Sequence, residues 1–185
     1  MSIVDELTID GGTIKSGETL HGRFLINKAI GVGGMVSVHQ SRDMHFPNVT
    51  KYVAVKEMIN FASDPAMRDI IIRNFEREAD MLATLSHPAI PKIYDYFSSE
   101  QRSYLVMEYI DGRDLEAILE ATEGFIATAQ VVEWAIELCD VLAYLQKHEP
   151  QPIIFRDMKP SNVMIDHHQH VRLVDFGIAR DFRTG

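Results

Sequence analysis

Phe155-Arg156-Asp157-Met158-Lys159-Pro160-Ser161-Asn162, followed a short way on by Asp175-Phe176-Gly177, is the stretch whose reading decides the fold. Asp157 can orient a hydroxyl and accept its proton, and Asn162, five positions later, offers a hard oxygen to a divalent cation. Lys159 adds positive charge where a phosphoryl group would move. Asp175 follows the extended segment Val171–Val174, and Gly177 lets the chain turn, which suits a second metal ligand. Read alone, the first segment is equally a polar loop shaped by Pro160, and the tripeptide is a weak signal.

Upstream, Ile30-Gly31-Val32-Gly33-Gly34-Met35-Val36-Ser37-Val38 sets glycines between two extended segments. A strand–turn–strand of this kind brings backbone N–H groups up to an anion, although a plain tight hairpin reads the same way. The apolar strand Tyr52-Val53-Ala54-Val55 ends on Lys56. A helix follows, capped by Ser63 or Asp64 before Pro65, with Ile71, Phe75, Leu82 and Leu85 on one apolar stripe. Glu78 lies on that stripe too. Breaking a buried ion pair costs about 3–5 kcal/mol, so Lys56 and Glu78 are natural partners; taken singly, each reads as a solvated charge.

Residues 1–20 read as a loose polar leader, and strands are expected at 23–30, 36–39, 52–55, 93–97 and 104–107. Asp111-Gly112-Arg113 breaks the pattern as a linker would. A short helix over 114–121 and a longer one over 128–146 come next. Val131, Ala135, Leu138, Leu142 and Leu145 form the long helix's stripe, widened by Val132, Ile136 and Cys139, which predicts burial over much of its circumference. Trp134 reads as packing. A sheet with one helix, then a linker, then a mainly helical part is a two-lobed α+β arrangement.

The 185 residues are 46% apolar and 24% charged, the balance of an ordinary globular protein. A net charge of −9 argues against a general affinity for nucleic acid or anionic lipid. The single cysteine, Cys139, fits a reducing compartment. No signal peptide is evident and no run approaches the roughly 18 apolar residues of a membrane span. The expectation is a soluble, cytoplasmic chain without a membrane segment. Its oligomeric state is not legible.

The glycine loop, V-A-V-K, the helix glutamate, R-D-x-K-P-x-N and D-F-G stand in the order and spacing of one family. From about Leu20 onward the chain resembles the Hanks-type serine/threonine protein kinases, in a bacterial style. The resemblance implies a protein-kinase-like fold with a sheet-and-helix N-lobe (21–107), a hinge (108–113) and an incomplete C-lobe (114–185). It implies ATP and Mg²⁺ as cofactors and a protein carrying serine or threonine as substrate. By it, Asp157 is the catalytic aspartate, Lys159 assists at the γ-phosphate, and Lys56, held by Glu78, contacts the α- and β-phosphates. Asn162 and Asp175 hold the metal. The glycine loop, Ile30 to Val38, covers the phosphates. Val38, Ala54, Leu115 and Met164 sandwich the base and Met107 is the gatekeeper. Glu108, Tyr109 and Ile110 present backbone to adenine, and Asp114 reaches the ribose.

Four departures from the family pattern stand out. Val36 occupies the third glycine position, putting a β-branched side chain where the loop approaches the phosphates. Phe155 replaces the histidine before Arg-Asp, and can stack with Phe176, Leu82 and Ile93. His167, His168 and His170 read as an exposed polar turn in preference to a metal cluster. The chain ends ten positions after Asp175, so the resemblance implies a missing peptide platform and no protein phosphorylation by these residues alone. The rival readings are a non-catalytic nucleotide-binding or scaffolding module, and a small-molecule phosphotransferase, which Lys159-Pro160 argues against.

Overall fold

Two stretches of alternating residues, 24–59 and 93–108, build the main sheet. The computed structural model describes residues 14–33, 35–60, 62–99 and 102–177, and the backbone of 180–181. Strands β1 (Thr19–Leu20), β2 (Phe24–Val32), β3 (Val36–Asp43), β4 (Tyr52–Ile59), β5 (Ile93–Ser99) and β6 (Arg102–Glu108) form one antiparallel sheet in the order β1-β2-β3-β4-β6-β5. In β4, Lys56 pairs with Val38 and Leu105, whereas its neighbour Glu57 pairs with Ser37 and Tyr104. Strand alternation therefore sends Lys56 and Glu57 to opposite faces.

Helix α1 (Pro65–Thr84) covers the Lys56 face. Asp64 caps it, accepting a hydrogen bond from the Ala66 N–H at 3.0 Å, and Pro65 opens the first turn, as the sequence predicts. Phe75, Ala79, Met81 and Leu82 are buried in a core shared with Leu105, Phe155, Leu173 and Phe176, so one apolar cluster spans the sheet and the second half of the chain.

The other face is covered as well. Leu20, Phe24, Val53, Val55, Tyr104 and Val106 form a second cluster, with Ile14 and Phe97 packed against it. The leader, read as loose, is ordered from residue 14: the Gly17 N–H donates to Ile26 O at 2.9 Å, and the Ile14 N–H donates to a Glu57 oxygen at 3.2 Å. Residues 1–13 lie outside the described residues.

After β6 the chain forms β7 (Gly112–Asp114) where a linker was expected, then α2 (Leu115–Ala121) and α3 (Thr128–Gln146). Strands β9 (Val163–Asp166) and β10 (Val171–Leu173) pair in the order β10-β9-β7, while β8 (Ile153–Ile154) pairs with β11 (Arg180–Asp181). A 3-10 turn, Pro160–Asn162, leads into β9. Trp134 is buried as expected and its indole N–H donates to Gln169 O at 3.1 Å.

The expected burial of α3 is not found. Trp134, Val141 and Leu145 are buried, whereas Val131, Val132, Ile136, Cys139 and Leu142 are exposed. The reason is geometric: α3 packs on β8 and β10, which cover one side of it.

The histidine turn is an exposed polar connection, and among the described residues no group of three or more His, Cys, Asp or Glu is placed to hold a metal. Asp166 Oδ1 accepts the N–H groups of His168 and His170 at 2.9 and 3.0 Å. His170 Nδ1 lies 2.8 Å from Glu137, which raises its pKa above the ordinary histidine value. A raised folded pKa means the pairing stabilises fully below pH of about 6.5 and fades as pH rises through the folded value. In an NMR titration, Glu137→Gln should return the His170 midpoint to the ordinary range; an unmoved midpoint would refute the pairing.

Candidate active site

Three chain segments meet at Lys56. Its ammonium lies 2.7 Å from Glu78 Oε1 on α1 and 3.1 Å from Asp175 Oδ1 beyond β10. Lys56 and Glu78 are buried, while the Asp175 side chain is 52% exposed, so the open side of this triad faces solvent. Burial works against the Lys56 charge, but Glu78 and Asp175 more than offset it and its pKa is raised. The two carboxylates thus favour the charged form of Lys56 on this face of the sheet.

The second constellation is the loop before β9. Asp157 Oδ2 lies 2.9 Å from the Lys159 ammonium and accepts a 2.9 Å hydrogen bond from Asn162 Nδ2, which also donates to the Asp157 carbonyl. The Lys159 bond, followed by the Asn162 bond, holds the Asp157 carboxyl below the usual carboxylate range against the opposing effect of desolvation. One backbone bond fastens this loop to the Asp175 segment, the Val174 N–H donating to Asn162 O at 3.0 Å, while the Asn162 N–H closes the loop's own turn onto Lys159 O at 3.0 Å. Arg156 and Asp175 sit in the left-handed region, with φ of 66° and 63°, a conformation non-glycine residues adopt at a cost of about 1–3 kcal/mol. Phe155 and Phe176, both buried, meet edge to face at 5.0 Å between ring centroids, so the Phe155 departure is absorbed by packing with Leu82 in the same core.

A divalent cation is tested by the chemistry of its donors. With its Nδ2 committed to Asp157, Asn162 keeps its amide oxygen for a cation, and Asp175 keeps Oδ2, which makes no hydrogen bond among the described residues. One carboxylate and one amide oxygen fit Mg²⁺, which takes few protein oxygens and completes its shell with phosphate and water.

Above the triad lies the glycine turn. Ile30, Gly31 and Val32 end β2, all exposed, and the Gly33 N–H closes onto Val36 O at 2.8 Å. A Cβ on Gly33 would lie 3.0 Å from that oxygen, so the turn is tight at Gly33. Gly34 lies outside the described residues, and Met35 is exposed, its carbonyl accepting the Ile59 N–H at 2.8 Å. Val36 shows no positive φ; it pairs with Met58 at the start of β3 and packs against the main core. Its side chain therefore has an ordinary strand position.

Val36, Val38, Ala54 and Met107 share the Lys56 face through the pairings Val36–Met58, Val38–Lys56 and Ala54–Met107. Ser37 does not. Its hydroxyl donates to Glu57 Oε2 at 3.1 Å and meets His39 Nε2 at 2.9 Å on the opposite face, so its side chain is not a cleft-lining group. Past β6, Ile110 is buried and Tyr109 meets Tyr52 edge-on at 6.1 Å. The Glu108 carboxylate turns to Arg172, leaving backbone as what that residue can offer a ligand. Asp114 Oδ1 caps α2 through the Ala117 N–H at 2.7 Å and Oδ2 remains; Met164 pairs with Asp114 across the small sheet, and Leu115 opens α2.

Two groups of residues were not singled out from sequence. Glu57, His39 and Arg102 form, with Ser37 of the glycine loop, a largely buried polar cluster behind Lys56. The other is Arg172 behind the 108–114 connection. Strand alternation signals the first, since polar residues at 37, 39 and 57 share one phase of β3 and β4. No sequence signal marks the second.

Comparison with known proteins agrees with this geometry. The protein kinase domain profile matches residues 24–185. The chain is 38% identical over 166 residues to serine/threonine-protein kinase PknB of Mycolicibacterium smegmatis, covering 87% of this chain and 25% of that protein. It is 36% identical over 168 residues to the probable kinase PknB of Lactococcus lactis, covering 90% and 25%. With PrkC of Bacillus subtilis the identity is 32% over 164 residues, covering 88% and 24%. The chain therefore spans about a quarter of the length of these relatives. A solved structure, the apo form of PpkA-294, superposes with a TM-score of 0.79 at 20% identity, covering 89% of this chain and 62% of that one, which shows the shared fold. The chain belongs to the protein kinase domain family and is homologous to bacterial serine/threonine kinases.

Proposed function

We propose that this chain binds Mg-ATP and supplies the machinery that moves its γ-phosphoryl group to a serine or threonine hydroxyl of a protein. The observation that carries this reading is the convergence of Lys56, Glu78 and Asp175 from three separate segments. A buried ammonium with one committed and one exposed carboxylate partner suits a polyphosphate that arrives with its own cation. Asn162 and Asp175 would hold Mg²⁺, which would supply positive charge to neutralise the phosphates. In this reading Lys56 orients the α- and β-phosphates, and Asn162 and Asp175 present oxygen to the cation. Asp157, kept ionised by Lys159 and Asn162, orients the acceptor hydroxyl and takes its proton. Lys159 stabilises charge on the transferring group. Val38, Ala54, Leu115 and Met164 supply the apolar walls for adenine, Met107 stands behind it, and Asp114 reaches the ribose. The cytoplasm, where ATP is held, is the compartment this reading requires; among the described residues no helix is long and apolar enough to cross a membrane.

The test is calorimetric titration with ATP, with and without Mg²⁺, alongside transfer of label from γ-labelled ATP to protein serine and threonine by a chimera that continues this chain with the remaining kinase segment of a homologous kinase. Binding should require Mg²⁺ and weaken in Asp175→Ala, while Asp157→Asn should leave binding intact and remove transfer. Mg²⁺-independent binding that Asp175→Ala leaves unchanged would overturn the site. Binding with no transfer would leave a nucleotide-binding module.

A further inference from the structure

Glu108 ends β6 and begins the connection to the second half of the chain. Its backbone N–H donates to Lys92 O at 2.8 Å, and its Oε2 accepts the Lys92 N–H at 3.2 Å. The same oxygen lies 2.8 Å from Arg172 Nη2, with the two side chains 29% and 13% exposed. Arg172 Nη1 stands 3.9 Å from Asp166 Oδ2, and Nε is buried without a partner among the described residues. Glu108 is therefore the close anchor of this guanidinium.

The far end of the connection is held differently. Gly112 pairs with Asp166, and the His167 N–H donates to Asp111 O at 3.0 Å, so residues 111–114 are fixed to β9 by backbone. At the Glu108 end the tie to the β9–β10 hairpin is the side-chain ion pair. Between the two ties lie Tyr109 and Ile110, the backbone expected to read adenine. Arg172 also pairs with Met164, which pairs with Asp114, so the three stand in one cross-strand row and Arg172 projects from the face that carries Met164.

We propose that Arg172 is a positioning residue for nucleotide recognition: by holding Glu108, it sets the tilt of the 108–110 backbone against the adenine floor at Met164. The proposal rests on the reading of the cleft as an ATP site. Arg172 need not touch the nucleotide, because the ion pair lies behind the connection, beside a groove of about 890 Å³ lined by Leu85, Ile90, Lys92, Tyr94, Glu108 and Arg172. Arginine suits the task, since its planar fork can engage two carboxylates with one orientation.

The test separates the base from the phosphates. Affinities for Mg-ATP, adenosine and Mg-tripolyphosphate are measured for the wild-type chain, Arg172→Met, Arg172→Lys, Glu108→Gln and the swap Glu108→Arg/Arg172→Glu. Arg172→Met and Glu108→Gln should each weaken ATP and adenosine about tenfold, with tripolyphosphate unchanged. Arg172→Lys and the swap should recover part of the loss. Equal weakening of all three ligands, which a merely structural pair would give, overturns the proposal, as does unchanged ATP affinity. If Arg172→Met fails to fold, Glu108→Gln and Arg172→Lys carry the same comparison. Wild-type protein that binds tripolyphosphate but neither ATP nor adenosine, or none of the three, overturns the ATP reading itself and this proposal with it.

Discussion

Lys56→Met should lose ATP binding and stability together, and the two losses should separate in a double variant. The ammonium is buried between Glu78 and Asp175, so removing it leaves the buried Glu78 carboxylate without its counter-charge. Breaking such a pair costs about 3–5 kcal/mol. Asp175, half in solvent, adds little to this loss. A charge-assisted hydrogen bond to phosphate contributes about 1.5–3 kcal/mol, so ATP affinity should fall roughly ten- to a hundredfold. Lys56→Met/Glu78→Leu removes both charges and should regain much of the stability while leaving ATP affinity low. Denaturant unfolding and ATP titration of the three proteins check this. If the single variant melts like the wild type, the pair is not buried as described. If the double variant binds ATP normally, Lys56 is not a phosphate ligand.

The next largest effect is expected at Gly112. A Cβ there would overlap the Ile165 carbonyl oxygen and lie 2.8 Å from Asp166 Cα and 2.9 Å from the Ile165 carbonyl carbon. These are backbone atoms of the partner strand, which no rotamer change can move aside. Gly112 has no positive φ, so the glycine serves close approach of two strands and not a special turn. Overpacking typically costs about 1–3 kcal/mol, and Gly112→Ala should fall at the upper end. The variant's unfolding midpoint checks it; an unchanged midpoint would mean β7 and β9 are not in close register.

Residues whose chemistry and strand phase agree were legible in the sequence. Lys56 closes an apolar strand and Glu78 interrupts an apolar helical stripe, and each anomaly pointed to the other before any distance was known. The 155–162 segment and Asp175 carried their arrangement in local spacing. Residues whose surroundings come from far along the chain were not legible. The burial of Glu57 and His39 was not read from sequence because residues 14–20, which help bury that face, have no periodic pattern to announce them. Ser37 was grouped with the glycine loop as one unit, and strand alternation turns its side chain away from Lys56. The α3 stripe was placed on the correct helix, but helical period shows which residues share a face and is silent on whether anything covers it.

The opposite orientations of Lys56 and Glu57 make β4 self-checking in its alignment. A slip of one residue against its neighbours would exchange the two faces. A carboxylate would then face Glu78 and Asp175, and an ammonium would face Arg102. Either outcome sets like charges together in a buried site. Mispaired versions of this sheet would therefore be rejected electrostatically on both sides at once, and the residue expected to grip phosphate also helps the chain choose its correct fold.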